Sequence, residues 1–169
     1  DDITAQIDAA MGTGPMDLMV SYDGKMHADA RSLLNPLFVP SRLKANEEYM
    51  RGLADDMVRE MVAKGGCEIV NEVATPYVTL VIADLLGVPA EDEPLMMRLT
   101  QQTLSSQDPE FQAEGGARAA MMKMYAYFMA MIADLRQNPK DNLAGIIANA
   151  RINGELLPDR DVFGYFNIT

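Results

Sequence analysis

The sequence is short of most residue types that carry chemistry: one cysteine, one histidine and no tryptophan in 169 residues. A single Cys67 excludes an intrachain disulfide, a CxxC redox pair and a cysteine-rich zinc site. It fits a reducing compartment, the cytoplasm. With His27 alone there is no His-rich metal centre, so no metal ligand set is expected. Positive charge is also scarce, since 14 Lys and Arg against 25 Asp and Glu leave a net charge of −11. A nucleic acid requires cations that displace the counterions condensed on phosphate, and an anionic membrane surface makes a similar demand. Neither is an expected partner. Apolar runs are short as well. The segments 77–88 and 119–132 are interrupted by Asp84 and Lys123, and both fall below the ~18 residues that cross a bilayer. No secretory signal is visible, and no HExxH, Walker loop, strand-borne GxGxxG or EF-hand loop occurs.

What is present is an ordinary globular composition, 49% apolar and 23% charged. Methionine is the exception, at 14 residues. Its flexible, polarizable side chain suits either an irregular core or a deformable apolar binding surface. A 3.6-residue period dominates, which predicts a mainly helical chain. After Ser41, read as an N-cap, Met50, Leu53, Ala54, Met57, Val58, Met61 and Val62 form one apolar stripe. Glu47–Arg51, Asp55–Arg59 and Glu60–Lys64 are acid-first i,i+4 pairs on the solvated side, and Gly65-Gly66 ends that helix.

A short extended piece is expected over 67–70, then a buried central helix over 76–86, apolar on nearly all faces, and a third helix over 95–104. Residues 105–109 read as a polar loop, and Gly115-Gly116 breaks the pattern. A Met-rich helix over 119–135 should bury Met121, Tyr125, Phe128, Ile132 and Leu135. A short helix capped by Asp141 follows, then a hairpin at Asn153-Gly154, a type I′ signature, and a last helix from Asp159. That last helix reaches Thr169 without a C-terminal signal, and the chain opens on Asp1-Asp2 without Met. The expectation is one undivided segment, 1–169, cut from a longer domain.

Only one pair of residues suggests a site. His27 and Arg31, four apart on a helix, project from one face as a two-donor clamp able to hold a carboxylate. Taken alone, a plain surface role for both explains them as well. Cys67, in a turn after two glycines, has no cation placed to activate it and reads as a turn residue.

The surroundings add more. His27-Ala-Asp-Ala-Arg31-Ser-Leu-Leu-Asn-Pro-Leu-Phe38-Val-Pro40-Ser-Arg42-Leu43 resembles the third helix of the cytochrome P450 superfamily, where the pattern is H-x-x-x-R followed by F-[TS]-P-x-[RKA]-[LV]. The run from Pro76 through Leu85-Leu86-Gly87-Val88-Pro89 to Asp92 is similar to the family's fifth helix and its L-L-G-[VI]-P-x-x-D exit. Asn138-Pro139-Lys140-Asp141-Asn142-Leu143, with Asn153-Gly154-Glu155-Leu156, resembles the approach to the long central helix. The matches are collinear from Val20 onward.

The resemblance implies the central part of the all-α prism fold of a bacterial-type haem-thiolate monooxygenase. It implies haem b in the full-length parent, with His27 and Arg31 donating to its propionates. The parent would hydroxylate an apolar small molecule, using O2 and two electrons from a partner such as a ferredoxin. A pocket or lid would involve Met16, Leu18, Met19, Leu99, Thr103 and Phe166, with 11–19 as its roof and 99–116 as a mobile cover. The departures matter equally. The family's F-x-x-G-x-x-x-C-x-G motif, which supplies the iron's thiolate, is absent, as are [AG]-G-x-[DE]-T-T and E-x-x-R. Asp29 and Ala30 stand where basic residues are frequent. No catalytic residue is expected, and the 169-residue chain alone is expected to be inactive. The alternative is a stand-alone acidic helical module that binds an apolar ligand or a partner helix.

Overall fold

A computed structural model of the chain describes residue 19 and residues 22–104, 114–152 and 154–168. Seven helices and one hairpin lie among the described residues: α1 (Gly24–Ser32), α2 (Pro40–Lys64), α3 (Thr75–Leu86), α4 (Glu93–Leu104), α5 (Gly116–Gln137), α6 (Leu143–Ala148), β1 (Arg151–Ile152), β2 (Glu155–Leu156) and α7 (Asp159–Ile168). The mainly helical reading holds. Several expected boundaries move, each for a local reason.

Ser41 is not the cap of α2. Pro40 occupies the first turn behind an extended Val39, where its missing N–H costs nothing and its fixed φ favours the helix. Gly65 then closes α2 in the left-handed conformation, φ 77°, and its N–H and that of Gly66 reach back to Val62 and Met61. The expected Glu47–Arg51 and Glu60–Lys64 pairs form, whereas Arg59 turns to Asp56, one residue from the expected Asp55.

No strand forms over 67–70. Val70–Ala74 is instead a turn of π-helix running straight into α3. Glu68 caps it by accepting from the Val70 and Asn71 N–H groups, while Glu72 accepts from Glu68 N–H. Reciprocal satisfaction of this kind is a capping box, stretched by one residue. Pro76 supplies a reason for the wide turn, because its ring and missing N–H would break the tighter i→i−4 ladder at that point.

The core lies between α3, α4, α5, α6 and α7. Ile132, Leu135, Ile147, Val162 and Phe163 are the largest fully buried side chains. Phe163 meets Tyr125 edge-on at 4.8 Å, and Phe128 contacts Phe163 and Phe166. The apolar face expected for α5 is thus buried, apart from the half-buried Tyr125. Met96, Met121 and Met124 are core residues, so part of the methionine surplus is packing. By contrast α3 is not buried all round: Val81, Ala83 and Leu86 are inside, but Val78 is 55% exposed.

The end of α5 is tied to everything that follows it. Arg136 donates to the Ala148 and Leu157 carbonyls and pairs with Asp159 in the first turn of α7. Asn149 bridges the Leu135 and Gly145 carbonyls. The β1–β2 pairing is antiparallel, Arg151 opposite Leu156 and Ile152 opposite Glu155, with Gly154 at φ 87° in the two-residue loop. The expected hairpin is present, although Asn153 itself lies outside the described residues.

The three segments that carry the family resemblance meet at one corner. Arg42, at the start of α2, pairs with Asp141 at 2.9 Å. Asn142, not Asp141, caps α6 by accepting from Gly145 N–H at 2.8 Å. Gly87 ends α3 at φ 70° directly beneath Asn142, where a Cβ would come 2.3 Å from the amide nitrogen. A Cβ on Gly145 would lie 2.1 Å from the Lys140 carbonyl oxygen. These motif residues therefore make a close backbone crossing.

Candidate functional site

The helix bearing the clamp is short and sided. At 100° per residue, His27 and Arg31 stand about 40° apart on the α1 surface, and Lys25 and Asp29 lie on nearly the opposite side. Lys25 and Asp29 neutralise one another in an i,i+4 pair. His27 is half-buried and Arg31 exposed, and neither side chain has a polar partner among the described residues. The acid on this helix is thus already committed to Lys25, while the two donors remain available on the other face. His27 and Arg31 both lie on α1, on one face of it by helical spacing.

Ala30 sits beside that face and is 1% exposed. It belongs to the last turn of α1, and its carbonyl accepts from Leu33 N–H at 3.3 Å. The Tyr165 hydroxyl, from α7, donates to the Ala30 carbonyl at 2.9 Å in a buried hydrogen bond across 135 positions of sequence. The phenol's pKa is pushed up to about 12, by burial first and then by the nearby Tyr22 and Asp161. Nothing in the sequence pattern distinguishes Tyr165 from other apolar-face residues, and the sequence reading missed it.

Two cavities bear on the expected pocket. One, of about 320 Å³, lies between α3, α4, α5 and α7; it is lined mostly by apolar side chains, with Thr79, Thr100, Thr103 and Asn167 as polar points. Thr103 and Phe166 both line it. The Thr103 hydroxyl is already used, donating to the Leu99 carbonyl one turn back. Leu99 is 2% exposed and packs into the core without lining this space. The other cavity, about 490 Å³, lies beneath α1, and Met19 is on its wall with Ala30 and Tyr165. The expected pocket residues are therefore not gathered in one place. Met16 and Leu18 fall outside the described residues, as do 11–15 and 17 of the expected roof and 105–113 of the expected cover.

Cys67 lies in the turn after α2 and is half-buried. A helix of 25 residues is roughly 37 Å long, and α1 joins its other end. Cys67 is thus remote from the clamp, in keeping with a turn residue. No group of three or more His, Cys, Asp or Glu suited to a metal ion occurs among the described residues, and no helix there is long and apolar enough to cross a membrane.

Comparison with known proteins defines the class. No family model matches the chain. Among curated proteins it is 29% identical to "Cytochrome P450-terp" of Pseudomonas sp over 163 residues, covering 89% of this chain and 38% of that protein. It is 27% identical to "Steroid C26-monooxygenase" of Mycolicibacterium smegmatis, covering 88% of this chain and 34% of that protein. Among solved structures it superposes on CYP108D1 of Novosphingobium aromaticivorans with a TM-score of 0.75 and 32% identity, over 98% of this chain and 40% of that one. The substrate-free CYP150A6 of Mycobacterium marinum gives 0.70 and 35%, over 99% and 38%.

Fold and sequence relatives agree along nearly the whole chain: the curated proteins that it resembles are named cytochrome P450s or monooxygenases, and the solved structures that it resembles are bacterial P450s. It spans about 40% of the length of the relatives it matches. Its helices correspond to a central segment of their fold.

The family implies a haem. The donors present fit one edge of it: haem propionates are anions that need cationic hydrogen-bond donors when taken from water. The face carrying His27 and Arg31 offers two such donors, neither of them neutralised by a described carboxylate. The described residues offer no fit to the iron, since Cys67 is at the far end of α2.

Proposed function

We propose that this chain is part of a bacterial-type haem-thiolate monooxygenase whose haem, haem b, is held at its propionate edge by His27 and Arg31. The observation that carries the reading is the asymmetry of α1, with Lys25 and Asp29 paired on one side and two donors unpaired on the other, in a chain whose relatives are cytochrome P450s. Arg31 would grip one carboxylate with its planar fork, and His27 would donate a single N–H. When bound, the haem supplies activation of O2 for insertion of one oxygen atom into an apolar small molecule, with two electrons from a redox partner such as a ferredoxin. The thiolate ligand comes from residues outside these 169, in keeping with the missing cysteine motif. Phe166 and Thr103, on the wall of the apolar cavity, are the residues of this chain nearest to the reading of a substrate pocket. A cytoplasmic location accompanies it.

The test compares the 169-residue chain with the longer polypeptide encoded around it, each supplied with haem, reduced and exposed to carbon monoxide. The longer polypeptide should give the red-shifted Soret band of a thiolate-ligated haem, and the 169-residue chain should not. That band from the short chain would refute the external thiolate; its absence from both would refute the monooxygenase reading. In the longer polypeptide Arg31→Ala should weaken haem retention, because one propionate loses its fork donor. Unchanged haem occupancy in that variant would remove the clamp.

A further inference from the structure

The pair His27 and Arg31 can act together only if α1 is held at a fixed rotation, and little on the helix itself provides that. Gly24–Ser32 is nine residues long, too short to be stable by its own hydrogen bonds. Its N-cap Asp23 makes no side-chain cap bond. At its C-terminal end the chain tightens, Leu33 N–H reaching Ala30 and Leu34 N–H reaching Arg31. A side-chain bond does reach it from distant sequence, the buried Tyr165 hydroxyl on the Ala30 carbonyl.

We infer that Tyr165 is a positioning residue: by donating to the Ala30 carbonyl it fixes the rotation of α1 on α7, and so the direction in which His27 and Arg31 present their donors. The geometry supports this in three ways. Ala30 lies between the two donors in sequence, three residues after His27 and one before Arg31, so a torque on its carbonyl moves both. Ala30 is small and 1% exposed, so at this residue no bulky side chain keys the rotation of α1, and the hydrogen bond is the directional element of its contact with Tyr165. Tyr165 is itself only 5% exposed and stands on α7, whose neighbours Val162 and Phe163 are fully buried. The anchor is therefore set in buried surroundings, whereas most of the anchored helix is exposed. A half-buried His27 and an exposed Arg31 would otherwise sample many directions, and two donors that must meet one rigid anion edge lose affinity when they wander.

The inference rests on the reading that this face holds a propionate edge, and the experiment separates the two. The probes are haem and haem dimethyl ester, which keeps the macrocycle and iron but has no propionate charge. Each is loaded into the longer polypeptide, and its transfer to excess apomyoglobin is timed for the unchanged protein, Arg31→Ala and Tyr165→Phe. Arg31→Ala should speed loss of haem and leave loss of the ester unchanged. Tyr165→Phe, which removes only the hydroxyl, should speed loss of haem roughly two- to tenfold, the scale of one neutral hydrogen bond, also without affecting the ester. Combined with Arg31→Ala it should add little, because its effect acts through the clamp.

If the unchanged protein releases haem and ester alike and Arg31→Ala alters neither, the propionate reading fails and the positioning role falls with it. If Arg31→Ala discriminates but Tyr165→Phe does not, the clamp stands and the positioning role is overturned. Equal acceleration of haem and ester in Tyr165→Phe would mark a merely structural tyrosine and also overturn it. Amide hydrogen exchange gives a second check: Tyr165→Phe should lower protection in 24–32 and leave 132–148 unchanged. A loss spread evenly over the molecule would count against the inference.

Discussion

The helices α2 and α5 look alike in sequence and differ entirely in the fold. Both are long, both carry an apolar stripe at 3.6-residue spacing, and both are rich in methionine. Along α5 that stripe is buried, down to 0% at Ile132. Along α2 no described side chain is buried, and Val58 and Val62 are 49% and 69% exposed. The difference lies in neighbours. α5 is covered by α4, α6 and α7, whereas α2 touches chiefly α3. A hydrophobic stripe states which face will pack, but the free energy appears only when something removes that face from water.

The sharpest way to break the comparison is to cut one apolar side chain from each region. Phe163→Ala, at the centre of the aromatic cluster, should cost about 3–5 kcal/mol in denaturant unfolding. Val62→Ala on α2 should stay within about 0.5 kcal/mol. A clearly larger loss for Val62 would mean that α2 is covered in solution, and the contrast would fail.

A smaller effect should follow from Gly145→Ala. The new methyl would collide with the Lys140 carbonyl, and forced shifts of this sort cost about 1–3 kcal/mol. Gly52, on α2, has open space around a built Cβ. There the same change should be neutral or stabilising, by up to about 1 kcal/mol from helix propensity. The opposite signs are the test, read from the two midpoints at equal m-value.

The smallest effect is on pH dependence. Burial pushes the Tyr165 phenol up to about 12 from an ordinary 10, and Tyr127, half-buried and donating to Asp92, moves in the same direction. A raised acid pKa means that the folded chain keeps its proton longer than the unfolded chain. Stability from these groups is complete below pH 10 and declines as pH rises from about 10 to 12. The Tyr127→Phe and Tyr165→Phe pair should flatten that decline. A Tyr49→Phe change on α2 should flatten it less, since the Tyr49 phenol, also raised, sits on the exposed helix.

Much of the fold was legible because helices are written locally. The α2 stripe, the Gly65 and Gly87 stops, the Asn153-Gly154 turn and the buried face of α5 follow from spacing and backbone preference alone. Boundaries failed where two local signals competed. Ser41 looked like a cap, but the proline before it is better in a first turn; Asp141 looked like a cap, but Arg42 takes it and Asn142 caps instead. The extended reading of 67–70 failed because Glu68 and Glu72 satisfy a helical start that no hydrophobic period announces. Of the candidate site, the shared face of His27 and Arg31 followed from a four-residue spacing. The pocket residues did not converge, because which cavity a side chain lines depends on helix placement.

The sequence by itself determined most of the helical elements, the acidic balance, the absence of a cysteine motif and the family resemblance. All of these are properties of composition or of residues near one another in the chain. The tertiary structure alone decided that the α5 stripe is buried while the α2 stripe is at most half-buried, that Arg136 ties α6 and β2 to α7, and that Tyr165 donates to a carbonyl 135 positions away. A donor–acceptor pair at that separation depends on the packing of every helix between, so no local pattern can encode it.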